Sequence, residues 1–273
     1  MRSGSVRSVS IAVPQGNIQT LVAQAAQKTA LPPVVFVHGM GCAADLWQAQ
    51  LKTTAQSRDA IAISLRGHGT STPPPDDDYS PAACAADLFA VLDALGLEHM
   101  ALVGHSYGTW VAIAAAAAQP QRLAQLILVD PPIDCTRCPA DVYKAQIAPM
   151  QAAMLGKGWR SVLQQSFRQA LMGGTPETHL EILARLDQTP EAALRGTSRE
   201  LFTFPAVNAL DTYLAVPAAD VHLILADLEA RPFSLHALRP ALPTTAIPNT
   251  GHWLMLDAPE AFAQALNSCL ATV

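Results

Sequence analysis

Short, unbroken apolar runs alternate with segments of helical spacing along most of the chain. The apolar runs are rich in branched side chains and lack polar alternation, which is typical of strands buried on both faces. They are "PPVVFVHG", "AIAISLRGHG", "HMALVG", "AQLILVD" and "DVHLILA". One intervening helix has Ser80 as an N-cap before Pro81 and ends at Gly96. Alternating buried strands and helices predict an α/β fold with a mostly parallel sheet and helices on both faces.

Both ends of the chain and one internal segment depart from this alternation. "SVRSVSIAV" and "NIQTLVAQAA" flank "PQG" and predict a hairpin, whereas "TTAIP" and "PEAFAQALNSCLATV" predict a late short strand and the last helix. Between about 133 and 210, four helix-like segments follow one another without a strand. We therefore predict a core domain of residues 1–132 and 211–273, and a helical cap inserted at residues 133–210.

The composition excludes several classes of protein. Half of the 273 residues are hydrophobic and 14% are charged, so the chain can bury a sizeable core. The net charge of −5, without a basic run, argues against nucleic acid and anionic membranes as partners. The N-terminus lacks the apolar core of a signal peptide, and the apolar stretch 111–118 is too short to span a bilayer. We expect a cytoplasmic monomer or homodimer that acts on a small molecule.

The cysteine pattern gives no metal or disulfide signature. Five cysteines at irregular spacing do not form a disulfide framework. "CTRC" at 135–138 has C-x-x-C spacing, but zinc would need a second pair, and a redox motif should open a helix rather than precede a proline. The pattern favours two loop thiols that are able to oxidise, and we expect neither a metal nor a cofactor.

Residues 104–108, "GHSYG", fit G-x-S-x-G with a strand before and a helix after. Small flanking residues let strand and helix approach closely in a sharp turn. Ser106 then projects at the carboxyl edge of the sheet, where ligands bind in open α/β sheets, beside the positive end of a helix. The alternative is a serine that only caps the helix, and further features argue against it.

A second glycine-containing loop predicts an oxyanion hole. "VHGMG" (37–41) follows an early strand, and its glycines let a backbone N–H turn towards Ser106. The expected donors are the N–H groups of Met40 and Tyr107. His38, in the same loop, is expected to be a structural residue that hydrogen-bonds the turn.

A histidine and three acids complete the candidate catalytic set. His252, in "PNTGHW", follows a late strand and precedes the last helix, where the third member of a Ser–acid–His order falls. Asp130 ends "LILVD", whereas Asp227 and Glu229 follow "HLILA". All three acids lie at carboxyl ends of predicted strands. We favour Asp130, since the proline at 131 limits its movement, but the other two stay open.

Several of these pieces together resemble the α/β-hydrolase superfamily: "VHGMG", "RGHGTS", "GHSYG", "LILVDPP", and "TGHW" followed by "APEAFAQAL". The resemblance spans nearly the whole chain outside the cap. It implies an eight-stranded, mostly parallel sheet with the cap inserted after the sixth strand, behind Asp130. Many relatives end the strand before the last one in glycine, with the acid three residues on, where this chain has alanine and Glu229. Other relatives take the acid from the end of the sixth strand, where Asp130 stands.

These features predict a serine hydrolase that cleaves a carboxylic ester or lactone of modest, mostly apolar character through an acyl-enzyme on Ser106. We expect Trp110, Met154, Trp159 and Trp253 to line the substrate pocket. The resemblance argues against epoxide hydrolase or haloalkane dehalogenase activity, which needs an aspartate at the elbow. The remaining alternatives are a hydrolase of C–C bonds in diketone-type compounds, a cofactor-free oxygenase, and a non-catalytic ligand receptor on the same fold.

Overall fold

Eight strands form a single sheet in the order β1-β2-β4-β3-β5-β6-β7-β8. The computed structural model describes residues 5–27, 29–226 and 231–271. The strands are β1 (Arg7–Val13), β2 (Gly16–Ala23), β3 (Val34–Val37), β4 (Ala60–Ile63), β5 (Met100–His105), β6 (Leu123–Val129), β7 (Val221–Leu225) and β8 (Thr244–Ala246). The pairs β1–β2 and β2–β4 are antiparallel, and every other pair is parallel. The predicted sheet and N-terminal hairpin are confirmed.

Burial explains the unbroken apolar runs. Every residue of β3, β4 and β5 is buried, because these strands lie inside the sheet with helices over both faces. The edge strand β1 alternates between exposed and half-buried positions. The periodicity of each strand thus follows its place in the sheet.

The helices follow the predicted alternation outside the segment between β6 and β7. They are α1 (Gln48–Thr54), α2 (Pro81–Ala94), α3 (Tyr107–Ala118), α4 (Ala140–Val142), α5 (Ala148–Leu155), α6 (Trp159–Ala170), α7 (Pro176–Gln188), α8 (Glu191–Glu200), α9 (Ala206–Leu214), α10 (Leu235–Leu238), α11 (Leu254–Asp257) and α12 (Pro259–Leu270). The Ser80 hydroxyl accepts a hydrogen bond from the Ala83 N–H, as its N-cap position predicts. No helix within the described residues is long and apolar enough to cross a membrane.

Six helices, α4 to α9, lie between β6 and β7. The first predicted helix of this segment is broken, because a π-helical turn at Tyr143–Ile147 separates α4 from α5. At the other end, α9 passes through residue 210 and packs against α3 of the core. The predicted boundary between cap and core therefore falls inside a helix, and the division into two domains stays a prediction.

Candidate active site

Ser106 lies in a tight turn between β5 and α3. Its backbone adopts φ 52° and ψ −124°, a conformation that L-amino acids rarely populate. Two hydrogen bonds hold it: the Ser106 N–H donates to the Val129 carbonyl at 3.0 Å, and the Thr109 hydroxyl donates to the Ser106 carbonyl at 2.6 Å. The neighbouring strand and the first turn of α3 thus fix the serine in this conformation.

The glycines around Ser106 allow very close backbone approaches. A Cβ on Gly104 would lie 2.3 Å from the Gly108 carbonyl oxygen, and one on Gly108 would lie 2.5 Å from the Val37 carbonyl oxygen. A Cβ on Gly39 would lie 2.8 Å from Cβ of Ser106. The loop after β3 therefore passes directly against the serine, which is the approach that the sequence predicts for an oxyanion loop.

Met40 and Tyr107 flank the serine from this loop and from α3. Tyr107 is the first residue of α3, and the first N–H groups of a helix have no partner within it. The side chain of Tyr107 is buried, and its hydroxyl donates to the Tyr79 carbonyl at 2.5 Å. The thioether of Met40 accepts a hydrogen bond from the buried Ser198 hydroxyl at 3.3 Å. The role of the two backbone N–H groups as an oxyanion hole stays a prediction.

His252 and Asp130 form a close pair: Nδ1 of His252 lies 2.5 Å from Oδ2 of Asp130. Asp130 follows β6 with a φ of 43°, and its N–H donates to the Ile224 carbonyl at 2.8 Å, which anchors its backbone to β7. Burial raises the pKa of the Asp130 carboxyl, but the hydrogen bond from His252, the electrostatic interaction with the neighbouring imidazoles and the Ala226 N–H outweigh it, so the pKa of Asp130 is lowered. The carboxyl is thus ionised at neutral pH and can orient the imidazole.

The other two candidate acids, Asp227 and Glu229, lie outside the described residues. Ala226, the residue before them, is described, and its N–H approaches Oδ1 of Asp130 at 3.4 Å. Of the three candidate acids, Asp130 is therefore the one for which the structure describes a contact with His252.

Two buried histidines support the surrounding loops. His105 packs its ring 4.7 Å from the ring of His252, and its Nε2 donates to the His252 carbonyl at 2.9 Å. Burial lowers the pKa of His105 to about 3, so this ring is neutral. His38 is also buried, with Nδ1 2.7 Å from the Gly39 carbonyl and Nε2 accepting from the Leu65 N–H at 2.9 Å. His38 thus hydrogen-bonds its own turn, as expected, and also the loop after β4.

A cavity of about 690 Å³ opens at this edge of the sheet. Ser106, Asp130 and His252 line it together, and α5 and α6 supply much of its opposite wall. Its apolar lining includes Met40, Met150, Met154, Leu163, Phe167, Met172, Leu201, Leu225 and Trp253. Unbranched methionine side chains adapt to irregular shapes, so this wall suits a flexible apolar group.

Of the four residues that the sequence led us to expect in the pocket, two line the cavity and two do not. Met154 and Trp253 line the cavity. Trp110 does not line it, and its ring packs against that of Phe204 at a centroid distance of 5.9 Å. Trp159 also lies outside, since its ring packs against the guanidinium groups of Arg160 and Arg195 at 4.9 and 5.7 Å. Neither Trp110 nor Trp159 is among the residues that line this cavity, and a contact of either ring with substrate stays a prediction.

The sequence analysis missed a polar part of the cavity lining. Arg231, Ser234 and His236 follow β7 and line the same cavity as Ser106. These residues carry no motif, and only the fold brings their loop to the end of β6. The signal available in the sequence was their place just after a predicted strand, on the serine's edge of the sheet.

The predictions for the cysteines and for a metal ion concern residues other than those that line the cavity. No disulfide joins any of the five cysteines, all of which lie among the described residues, and burial raises the pKa of the Cys135 thiol to about 12. Among the described residues, no group of three or more histidine, cysteine, aspartate or glutamate side chains is arranged to hold a metal ion.

Comparison with known proteins agrees with this architecture. A sequence-family model described as the alpha/beta hydrolase family matches residues 34–265. The N-formylmaleamate deformylase of Pseudomonas putida is 40% identical over 100 residues, an alignment that spans 37% of this chain and only 37% of the deformylase. The sn-1-specific diacylglycerol lipase ABHD11 of Mus musculus is 27% identical over 264 residues, covering 88% of this chain and 81% of the lipase.

A solved structure of similar shape extends over the entire fold. The thermophilic esterase from Thermogutta terrifontis superposes with a TM-score of 0.76 at 23% identity, covering 98% of both chains. That likeness shows the fold, and the family match covers most of this sequence, including the serine turn and the histidine turn. The chain therefore belongs to the alpha/beta hydrolase family.

Proposed function

We propose that this protein is a serine hydrolase that cleaves a carboxylic ester or lactone of modest, mostly apolar character. One observation carries the proposal: Ser106, in its strained turn, lines the same cavity as the hydrogen-bonded pair of His252 and Asp130. A serine nucleophile, a base and an acid that orients the base are the parts that acyl transfer needs.

The proposed reaction begins with proton transfer from Ser106 to His252. Because Nδ1 of His252 is bonded to Asp130, Nε2 is the ring nitrogen that acts as the base. The serine oxygen attacks the carbonyl carbon, and the N–H groups of Met40 and Tyr107 stabilise the oxyanion, each by about 3 kcal/mol. His252 then protonates the leaving alcohol, and water releases the acyl group by the same route.

The cavity lining supports an apolar acyl or alcohol group. Met154 and Phe167, from α5 and α6, line the wall opposite the sheet, while Trp253 lines it beside His252. Mostly apolar pockets with a few polar groups bind small substrates of matching character. We propose that residues 133–210 act as a cap that encloses this group.

Hydrolysis of a C–N bond is a second candidate. The relative named N-formylmaleamate deformylase supports it, although the alignment spans 37% of that protein. The same nucleophile and base serve amides as well as esters, but amides have a poorer leaving group.

The decisive experiment compares the wild type with Ser106→Ala on a panel of p-nitrophenyl esters, lactones, N-formyl amides and a diketone. We expect turnover of esters or lactones, and its loss in the variant, because removal of a nucleophile lowers kcat by about 10⁶-fold in a serine hydrolase. A fluorophosphonate probe should label the wild type once, at Ser106. Since a small residue suits the turn, the melting temperature should stay close to that of the wild type.

Other outcomes separate the alternatives. Full ester turnover by Ser106→Ala, or labelling elsewhere, would refute the nucleophile. Turnover limited to the diketone would indicate a C–C hydrolase. Oxygen consumption that survives Ser106→Ala would indicate an oxygenase, and binding without any turnover would indicate a receptor.

A further inference from the structure

The turn that carries His252 is packed backbone to backbone against the inserted helices. The His252 N–H donates to the carbonyl of Ala170, the last residue of α6, at 3.0 Å. A Cβ on Gly251 would lie 3.0 Å from the Leu171 carbonyl oxygen, and one on Gly173 would lie 2.9 Å from the Thr250 carbonyl oxygen. Side chains cannot fit between the two segments, so their backbones are in direct contact.

One carboxylate cross-links these segments. Asp257, the last residue of α11, accepts from the Gly251 N–H through Oδ2 at 2.8 Å and from the Thr175 N–H through Oδ1 at 2.9 Å. A Cβ on Gly174 would lie 2.7 Å from the Asp257 carboxylate, so the chain passes closely over it. Both oxygens of one half-buried side chain are thus used to join the histidine turn to the start of α7.

The same linkage reaches the cavity wall. Ala170 and Met172 line the cavity from the cap side of the link, and Thr250 and His252 line it from the other side. Asp257 is not among the described residues that line the cavity. Its carboxylate therefore acts on the site through the backbone of Gly251, not by touching a bound molecule.

We propose that Asp257 is a positioning residue that fixes the His252 imidazole relative to Ser106 by clamping the histidine turn to the segment between α6 and α7. Asp130 fixes one nitrogen of the ring, and the Asp257 clamp fixes the backbone from which the ring projects. This inference rests on the proposed function for its kinetic readout, but its structural readout does not depend on the reaction.

The test uses Asp257→Asn and Asp257→Ala in the full chain. Asparagine keeps the shape but turns an N–H₂ group towards one of the two N–H donors, so one bond is lost. Asp187→Asn is the matched control, since the Asp187 carboxylate also joins α6 to α7, through Gln164 at 3.2 Å, on the exposed surface and away from His252.

Three readouts are measured: kcat and KM on a small ester, the rate of fluorophosphonate labelling of Ser106, and the ¹⁵N ring signals of His252, which are assigned by their loss in His252→Ala. We expect Asp257→Asn to lower kcat and the labelling rate by about tenfold to a hundredfold, since small misplacements of catalytic groups cost that much. KM should stay within about twofold. The His252 ring signals should shift in Asp257→Asn and stay in place in Asp187→Asn.

Unchanged His252 signals with a wild-type kcat in folded Asp257→Asn would overturn the proposal. So would a loss of activity that only tracks a loss of folded protein, with the His252 signals of the folded fraction unmoved. If Asp257→Ala does not fold, Asp257→Asn decides alone. Full activity in Ser106→Ala would refute the hydrolase proposal instead, and the ring signals would still test the clamp.

Discussion

The sheet edge around Ser106 and the segment between β6 and β7 differ in how uniformly close their packing is. At the serine turn, Gly104 and Gly108 have backbone atoms within 2.5 Å of where a Cβ would stand. Between β6 and β7, a Cβ on Gly196 would lie 2.1 Å from the Tyr79 ring, but one on Gly158 would meet nothing within 4 Å, and Met172 and Leu180 are 71% and 75% exposed. Packing is thus close throughout the serine turn, whereas the helical half of the molecule, between β6 and β7, combines close contacts with open positions.

The helical half also shows local irregularity. The π-helical turn at Tyr143–Ile147 interrupts the first helix just before Met150 and Met154, which line the cavity. Such turns often occur near functional sites, because they displace the following residues from helical register. Substitutions of the proposed catalytic residues should therefore be poorly tolerated. Substitutions in the helical wall of the cavity should be tolerated and should alter substrate specificity.

The largest effect is expected from Asp130→Asn. The amide keeps the geometry but favours the wrong tautomer of His252, a change that lowers kcat by about 10⁴-fold in a serine protease. Turnover of one ester at one pH should be compared with that of Glu229→Gln and Asp227→Asn, which we expect to lose far less. A near-wild-type Asp130→Asn beside an inactive Glu229→Gln would assign the role of the acid to Glu229 instead.

Gly108→Ala should destabilise the fold by about 3 kcal/mol or more, since the new methyl group would meet two backbone carbonyls that cannot move aside. Gly158→Ala is the matched change in the helical half, where the φ of −92° suits alanine and the space is open. It should leave stability unchanged or raise it by up to about 1 kcal/mol. Urea unfolding of both variants measures the difference, and equal losses would remove the contrast between the two halves.

The half of the molecule that carries the serine turn should also be the part whose stability is sensitive to acid. Burial lowers the pKa of His68 to about 4, that of His105 to about 3, and that of His38 well below its usual value. Between pH 6.5 and about 4 the unfolded chain therefore binds more protons than the folded one, so stability falls as the pH falls, by up to about 1.4 kcal/mol per pH unit for each histidine.

Urea unfolding at several pH values checks this dependence. His68→Gln should flatten the slope by about 1.4 kcal/mol per pH unit between pH 6.5 and about 4, because one buried neutral histidine is removed. Replacement of the exposed His99 by glutamine is the control. A slope that is identical in the His68 variant and the wild type would contradict the assignment of His68 as a buried neutral ring.

The smallest effect is expected at the cavity wall. Met154→Ala should shift the preferred acyl chain towards longer or bulkier groups, changing the ratio of kcat/KM between two chain lengths by about tenfold, the value of roughly one methylene in an apolar pocket. Turnover of the smallest ester should hardly change. Trp159→Phe, outside the cavity, should leave the profile as it is, and an equal shift in both variants would show that the wall moves as one body.

The two halves also differ in what their sequence can predict. The strands and the serine turn follow from local patterns, because a strand buried on both faces needs an unbroken apolar run and a sharp turn needs glycine. The existence of helices between β6 and β7 was equally visible. Which of their side chains face the cavity depends on how each helix is rotated against the core, so the sequence could not show that Met154 lines the cavity and Trp159 does not.

Long-range contacts were the least visible part of the site. Three acids stood at equivalent strand ends, and only the folded chain brings one of them, Asp130, to 2.5 Å from His252. Asp257 carries no motif that marks it, since both of its partners are backbone N–H groups. Side-chain patterns cannot reveal a contact that is made to the backbone of distant residues.

The backbone conformation of Ser106 has a consequence for the stability of the fold. A non-glycine residue held at φ 52° and ψ −124° costs about 1–3 kcal/mol, which the rest of the fold must offset. Glycine at this position would release that strain, so a chain that lost its proposed nucleophile in this way would become more stable. Under the proposed function, this replacement would therefore leave a chain that is inactive but still folded.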